Sequence, residues 1–166
     1  MPARRDAFTL VAIAVAVTGL DQLSKSILVS AISAGRADTR IRLLDEWIVI
    51  EYTENRGAAF GLFAGLSPVL AAASIAVLAG LLLHFAGQAR PAWWENVAIG
   101  LIAGGAVGNL VDRIRLGYVV DFLSIGRWPN FNVADSAISV GVVLLILGWM
   151  RSGTAVGFGR TSDQES

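Results

Sequence analysis

Apolar positions fall into four long runs, at roughly 8–28, 68–86, 93–111 and 133–150. Each is close to the about 20 residues that a helix needs to cross a bilayer. Between the first two runs lies a polar segment, about 31–66, holding Arg36, Asp38, Arg40, Arg42, Asp45 and Glu46. Inside it, residues 47–53 (WIVIEYT) are β-branched and aromatic and predict a strand. Asn55-Arg56-Gly57 then predicts a turn, with Gly57 available for positive φ. Ala58-Ala59-Phe60-Gly61 predicts a second, short strand, and the two would form a small sheet on the membrane surface. Trp47, Ile48, Phe60 and Phe63 could line an apolar cradle that dips into the bilayer, or could simply pack that sheet.

The punctuation agrees with the runs. Ser67-Pro68 reads as an N-cap with proline at the first helical position, and Gly87 is placed to close that helix. Only a few residues, Arg90 and Pro91 among them, separate the second and third runs, which forces an antiparallel hairpin. Trp93 and Trp94 suit an interfacial aromatic belt. Gly100, Gly104 and Gly108 recur at four-residue spacing, a surface that lets another helix approach closely. The tail, about 152–166, is polar and expected to be loose. The expected fold is therefore a mainly α membrane protein, one domain of four transmembrane helices with a small β-sheet cradle between helices 1 and 2.

Composition supports this reading, since 55% of the 166 residues are hydrophobic. The first run could also be read as a signal peptide, because Arg4 and Arg5 precede it; its length, and Asp21 and Lys25 near its end, argue against that. Zero net charge gives no electrostatic basis for a nucleic-acid partner. The chain has no cysteine, which excludes disulfides, thiolate metal sites and a cysteine nucleophile. Its single histidine, His84, cannot build a zinc site alone or serve a Ser-His-Asp triad from the opposite side of the membrane. No cofactor or metal is expected.

Four spans put both termini on one side and the loops after spans 1 and 3 on the other. Asp21, Lys25, Asn55, Asn109, Asp112, Arg113, Asp121, Asn132 and Asp135 then fall at one leaflet; His84, Glu95 and Asn96 do not. Asn109, Asp112 and Arg113 share a helix face, as do Asn132, Asp135, Ser136 and Ser139, and Asp21 and Lys25 stand four apart. Basic residues do not settle the orientation, although Arg4-Arg5 weakly favours a cytoplasmic N-terminus. Carboxylates at a bilayer edge are costly and are usually kept for use. Two that meet, such as Asp121 and Asp135, suggest a shared-proton pair that activates water.

At these residues the chain resembles the bacterial lipoprotein signal peptidases (signal peptidase II). The matching pieces are Asp21-Gln22-Leu23-Ser24-Lys25, then residues 55–61 (NRGAAFG), 105–113 (GAVGNLVDR), 117–122 (GYVVDF) and 131–135 (FNVAD). Each piece alone is weak; five in order are highly specific. The stretch between the two aspartates is short, and both tails look idiosyncratic. The resemblance implies an intramembrane aspartic endopeptidase of the bacterial inner membrane, with cytoplasmic termini and its site near the extracytoplasmic leaflet. It implies Asp121 and Asp135 as the catalytic pair, with Asp21, Asn55, Asn109, Arg113 and Asn132 supporting activity or substrate binding; Lys25, Gly57 and Asp112, beside them in the chain, are added as candidate supporting residues. It further implies removal of the signal peptide before a diacylglyceryl-modified cysteine of prolipoproteins, contact with membrane lipids, and inhibition by globomycin. Four helices can form a complete bundle as a monomer.

Each residue also has a plainer role open to it. Asn109 and Asn132 could be helix caps, and Asn55 a turn-former. Arg113 could bind a lipid phosphate, hold Asp112, or snorkel to the interface. Asp21 and Lys25 could be a local ion pair, and Asp112 reads as structural. A small ion-coupled transporter is the rival function, but it calls for polar residues along a path through both leaflets. A structural scaffold would not need the aspartates.

Overall fold

The computed structural model describes residues 2–33, 40–44, 47–57, 67–87 and 92–152. The elements run α1 (Pro2–Ser33), β1 (Arg40–Leu43), β2 (Ile48–Asn55), α2 (Ser67–Gly87), α3 (Trp93–Leu116), β3 (Val119–Ile125) and α4 (Val133–Ser152). All four helices contain windows long and apolar enough to cross a membrane. The strand expected at 58–61, Phe60, Phe63, the Arg90-Pro91 link and the tail from residue 153 lie outside the described residues.

Helix α3 is the central post, packed against α1, α2 and α4. Its glycines are what allow this. A Cβ on Gly100 or Gly104 would press into Leu10, Ala14 and Val17 of α1, while one on Gly105 would run into Ala134 and Ile138 of α4. Between apolar helices in lipid, van der Waals contact replaces hydrophobic drive, so close backbone approach is the main source of adhesion. The Thr18 hydroxyl adds a 2.9 Å bond to the carbonyl of Gly104. At its start, Glu95 accepts from the backbone N–H of Ala92. At its end, Gly117 adopts φ +82° and donates to the carbonyl of Arg113, a left-handed cap that turns the chain directly into β3. Helix α2 is peripheral, with nothing in its apolar window buried.

The sheet is antiparallel, in the order β1-β2-β3. It differs from the expected pair of strands in two ways. The edge strand β1 precedes the predicted strand, and β3 comes from the α3–α4 connection, so Asp121 sits on a strand rather than in a loop. Asp121 interrupts an otherwise apolar stretch and hid the element. The predicted turn is present: Gly57 has φ +142°, and its N–H donates to Asn55 Oδ1 at 3.1 Å.

Candidate active site

Asn132 and Asp135 open α4 with a reciprocal cap. Asn132 Oδ1 accepts from the Asp135 N–H at 2.9 Å, and Asp135 Oδ2 accepts from the Asn132 N–H at 3.3 Å. The cap fixes one carboxylate oxygen of Asp135; the other accepts from Asn109 Nδ2 at 2.8 Å. Asp121, 1% exposed, is held from two sides. Its Oδ1 accepts from Asn132 Nδ2 at 2.7 Å and its Oδ2 from Asn55 Nδ2 at 2.9 Å. Asn132 Nδ2 also lies 3.1 Å from Asn109 Oδ1. The two aspartates thus belong to one hydrogen-bond chain through two asparagines. Burial pushes the Asp121 carboxyl up to about 6; the Asn55 and Asn132 donors and the Lys25 charge pull against that, and Asp135 adds to it.

Asn55 is aimed by its turn, because its Oδ1 is taken by the Gly57 N–H and only its amide protons face Asp121. Beside it, the Tyr52 and Tyr118 hydroxyls meet at 3.0 Å, and the Arg56 guanidinium lies 5.2 Å from the Tyr118 ring centroid. These contacts tie the end of β2 to the start of β3.

Beneath the pair sits a buried ion cluster. Lys25 Nζ, on a side chain almost without solvent contact, lies 2.7 Å from Asp21 and 2.8 Å from Asp112. Two carboxylates face one ammonium, so their remaining lone pairs need donors, and those come from the elements above. Asp21 Oδ1 accepts from the Ala134 N–H of α4 at 3.0 Å. Asp112 Oδ2 accepts from the Val120 N–H of β3 at 3.1 Å. Gln22 Nε2 donates to Asp112 Oδ1 at 2.8 Å. The cluster therefore anchors the residue before Asp135 and the residue before Asp121. Asp21 and Lys25 are more than a local pair, because Asp112 joins them in one cluster bonded to α4 and β3.

A cavity of about 290 Å³ opens between α2, α3 and α4. Asp135, Asn109 and Arg113 stand at its polar part, and Leu70, Val77 and Ile138 are among its apolar walls. Arg113 does not hold Asp112, which Lys25 already engages; it is half-buried, with Nη1 3.5 Å from the carbonyl of Asn109.

Every site residue named from sequence falls in or next to this network: Asp21, Lys25, Asn55, Gly57, Asn109, Asp112, Arg113, Asp121, Asn132 and Asp135. Sequence reasoning missed the role of Gln22, whose only signal was its place between Asp21 and Lys25. It also missed the sheet contacts of Tyr52 and Tyr118. The polar residues at the other end behave differently: Glu95 caps its helix, and Asn96 is buried with no partner for its Oδ1. Among the described residues no group of three His, Asp or Glu is placed to hold a metal ion.

The Signal peptidase (SPase) II family model matches residues 13–151. A lipoprotein signal peptidase of Halothermothrix orenii is 38% identical over 128 residues, covering 77% of this chain and 86% of that protein. One from Syntrophotalea carbinolica is 39% identical over 153 residues, covering 87% and 92%. Two solved bacterial membrane enzyme structures share the fold. One has TM-score 0.76 at 30% identity, covering 95% of this chain and 94% of that one; the other has 0.74 at 32%, covering 86% and 93%. With the match running through all four helices and the sheet, the chain belongs to the signal peptidase II family, as a multi-pass membrane peptidase.

Proposed function

We propose that this protein is an aspartic endopeptidase that cuts prolipoproteins just before their diacylglyceryl-modified cysteine. The observation that carries this is the Asp121–Asn132–Asn109–Asp135 chain, set at the one end of the bundle where polar residues of α1, α3 and α4 converge. Two carboxyls in one buried network resist ionising together, so the pair shares a proton and titrates as a unit. The ionised member takes a proton from water, which attacks the scissile carbonyl, while the protonated member donates to the carbonyl oxygen. As the C–N bond breaks, the first gives its water-derived proton to the departing amine and the second takes one back from the gem-diol hydroxyl. Asn55, Asn109 and Asn132 orient the carboxyls, and their fixed amides spare the reorganisation that water would need at each step. Asn109 and Arg113, at the polar part of the cavity, suit a peptide backbone and a lipid-linked polar group, and the apolar walls suit a signal-peptide helix. The polar end faces the extracytoplasmic side of the bacterial inner membrane and the termini face the cytoplasm. The protein works as a monomer without a cofactor, and globomycin, a cyclic peptide, blocks this site.

Purified protein in liposomes should cleave a diacylglyceryl-modified prolipoprotein and leave the unmodified precursor largely intact. Equal cleavage of both would refute lipid recognition, and cleavage of neither by folded protein would refute the peptidase reading. An ion path is not supported, because the network stays at one end of the bundle.

A further inference from the structure

We propose that Asn130 is a positioning residue for the cleavage reaction: it holds the strand register in which Asn55, and not Glu54, faces Asp121. The pairing of β2 with β3 slips by one residue near its middle. Ile50 opposes Leu123, and the next pair is Thr53 with Asp121, three steps along β2 against two along β3. Glu51 and Tyr52 thus lie across from the single residue Phe122, the count of a β-bulge.

The slip decides which side chain reaches the carboxyl. With it, Asn55 opposes Val119. Val119 and Asp121 are alternate residues on one face of β3, so Asn55 stands diagonal to Asp121, and its amide closes the 2.9 Å bond. Without the slip, the ladder continued from Ile50 and Leu123 would set Tyr52 opposite Asp121 and Glu54 opposite Val119. Glu54 would then occupy that diagonal, a carboxylate in place of an amide donor, and its charge would oppose an ionised Asp121. One extra residue in β2 therefore separates a supported carboxyl from a repelled one.

Strand β1 does not hold the slip, because its pairing with β2 ends at Arg40–Glu51. Asn130 bridges it. Its Nδ2 donates to Glu51 Oε1 at 3.1 Å and to Thr53 Oγ1 at 2.6 Å, one acceptor on each side of Tyr52. Arg40 Nε lies 3.3 Å from the other Glu51 oxygen, so that carboxylate is fixed from two directions. The next residue anchors Asn130 in turn: the Phe131 N–H donates to the carbonyl of Leu123 and the Leu123 N–H to that of Phe131, both at 2.9 Å. One residue further on, Asn132 is the second amide donor to Asp121. Asn130 thus ties the arm that carries Asn55 to the arm that carries Asn132, although it lies outside all five motif segments. The role rests on the reading of Asp121 as a catalytic carboxyl.

Reconstituted wild type, Asn130→Leu, Asn55→Ala and the double variant are compared in kcat and KM for lipidated precursor, with thermal unfolding as the check on folding. Leucine keeps the volume and removes the donor. Asn130→Leu should lower kcat about 10-fold and leave KM nearly unchanged. Added to Asn55→Ala, it should change kcat by no more than about twofold, because the residue it positions is already gone. Thr53→Val removes one acceptor at nearly constant shape and gives the same test in a fold left otherwise intact: kcat should fall by a smaller factor, again only when Asn55 is present. Wild-type kcat in Asn130→Leu and Thr53→Val, or the same loss in both backgrounds, would overturn the proposal. Register is read apart from activity by paired cysteines, since the chain has none of its own. Glu54→Cys with Val120→Cys should cross-link in the otherwise wild-type chain, where the two residues are opposed. With Asn130→Leu added, cross-linking should pass in part to Glu54→Cys with Val119→Cys. Cross-linking confined to the first pair despite Asn130→Leu would overturn the proposal even if cleavage falls. Absence of cleavage by wild type would strike the peptidase reading, and the cross-links would still decide the register.

Discussion

Replacing Gly105 by alanine tests how closely the chemistry depends on the seam between α3 and α4. A Cβ at Gly105 would collide with the carbonyl oxygen of Ala134 and lie 2.8 Å from Ile138 Cγ1. Ile138 can rotate aside; the Ala134 carbonyl is backbone and can move only with the first turn of α4. Opening even the softer contact from 2.8 Å to the 3.4 Å of ordinary packing takes about 0.6 Å, and the carbonyl demands more. Overpacking of this kind costs about 1–3 kcal/mol. Alanine returns about 0.5–1 kcal/mol of helix propensity in the same position. The two nearly offset at the low end, so stability is a poor readout. Activity is a sharp one, because Asp135 rides on the displaced turn, and a misplacement near 1 Å can cost about 100-fold. We expect Gly105→Ala to lower kcat/KM for lipidated precursor about 10- to 100-fold with most of the thermal stability retained. Two controls define the effect. Gly141→Ala strains the same helix pair, against Ile102 and Ala98, but six residues further along α4, and should keep most activity. Gly80→Ala, with nothing near its Cβ, should slightly stabilise α2 and leave cleavage unchanged. Wild-type turnover in Gly105→Ala would refute the idea that this contact sets the position of Asp135.

The remaining expectations can be checked with the same protein. Lys25→Met leaves Asp21 and Asp112 buried and facing each other, a loss of about 3–5 kcal/mol that thermal unfolding in detergent should register. Asn132→Ser keeps a side-chain cap for α4 but removes the amide that reaches Asp121; it should stay within about 1 kcal/mol of wild type yet lose cleavage, whereas Asn132→Ala should lose both. Asn55→Ala removes a donor that favours the ionised Asp121 carboxyl, so the pair should hold its proton to higher pH. The limb of the kcat/KM profile that reports loss of that proton should move in the alkaline direction; a shift toward acid would contradict the assignment. Because burial raises Asp121 from 3.8 to about 6, this group makes the fold lose stability as pH rises from about 4 to 6. That contribution to the slope should be absent in Asp121→Asn.

Much of the architecture was legible because lipid imposes simple rules. Four apolar runs, Ser67-Pro68 and Gly87 gave the helices, and parity alone gathered Asp21, Asn109, Asp112, Asn132 and Asp135 at one end. Parity says nothing about bonds. That Asp21 reaches the Ala134 N–H and Asp112 the Val120 N–H is a fact of tertiary placement that no spacing along the chain encodes. Strand β1 was too short to stand out, at four residues. Strand β3 was concealed by its own aspartate, since a charged residue in an apolar alternation reads as a loop until Asn55 and Asn132 supply its partners. The same contacts show why Asp121 tolerates burial.

The most direct test of the central claim is cleavage of a diacylglyceryl-modified prolipoprotein by reconstituted wild type, Asp121→Asn and Asp135→Asn, with the product's new N-terminus read by mass spectrometry. The account expects the lipidated cysteine at that terminus for wild type, and no product from either folded variant. Substantial cleavage by either variant would contradict the two-carboxyl mechanism.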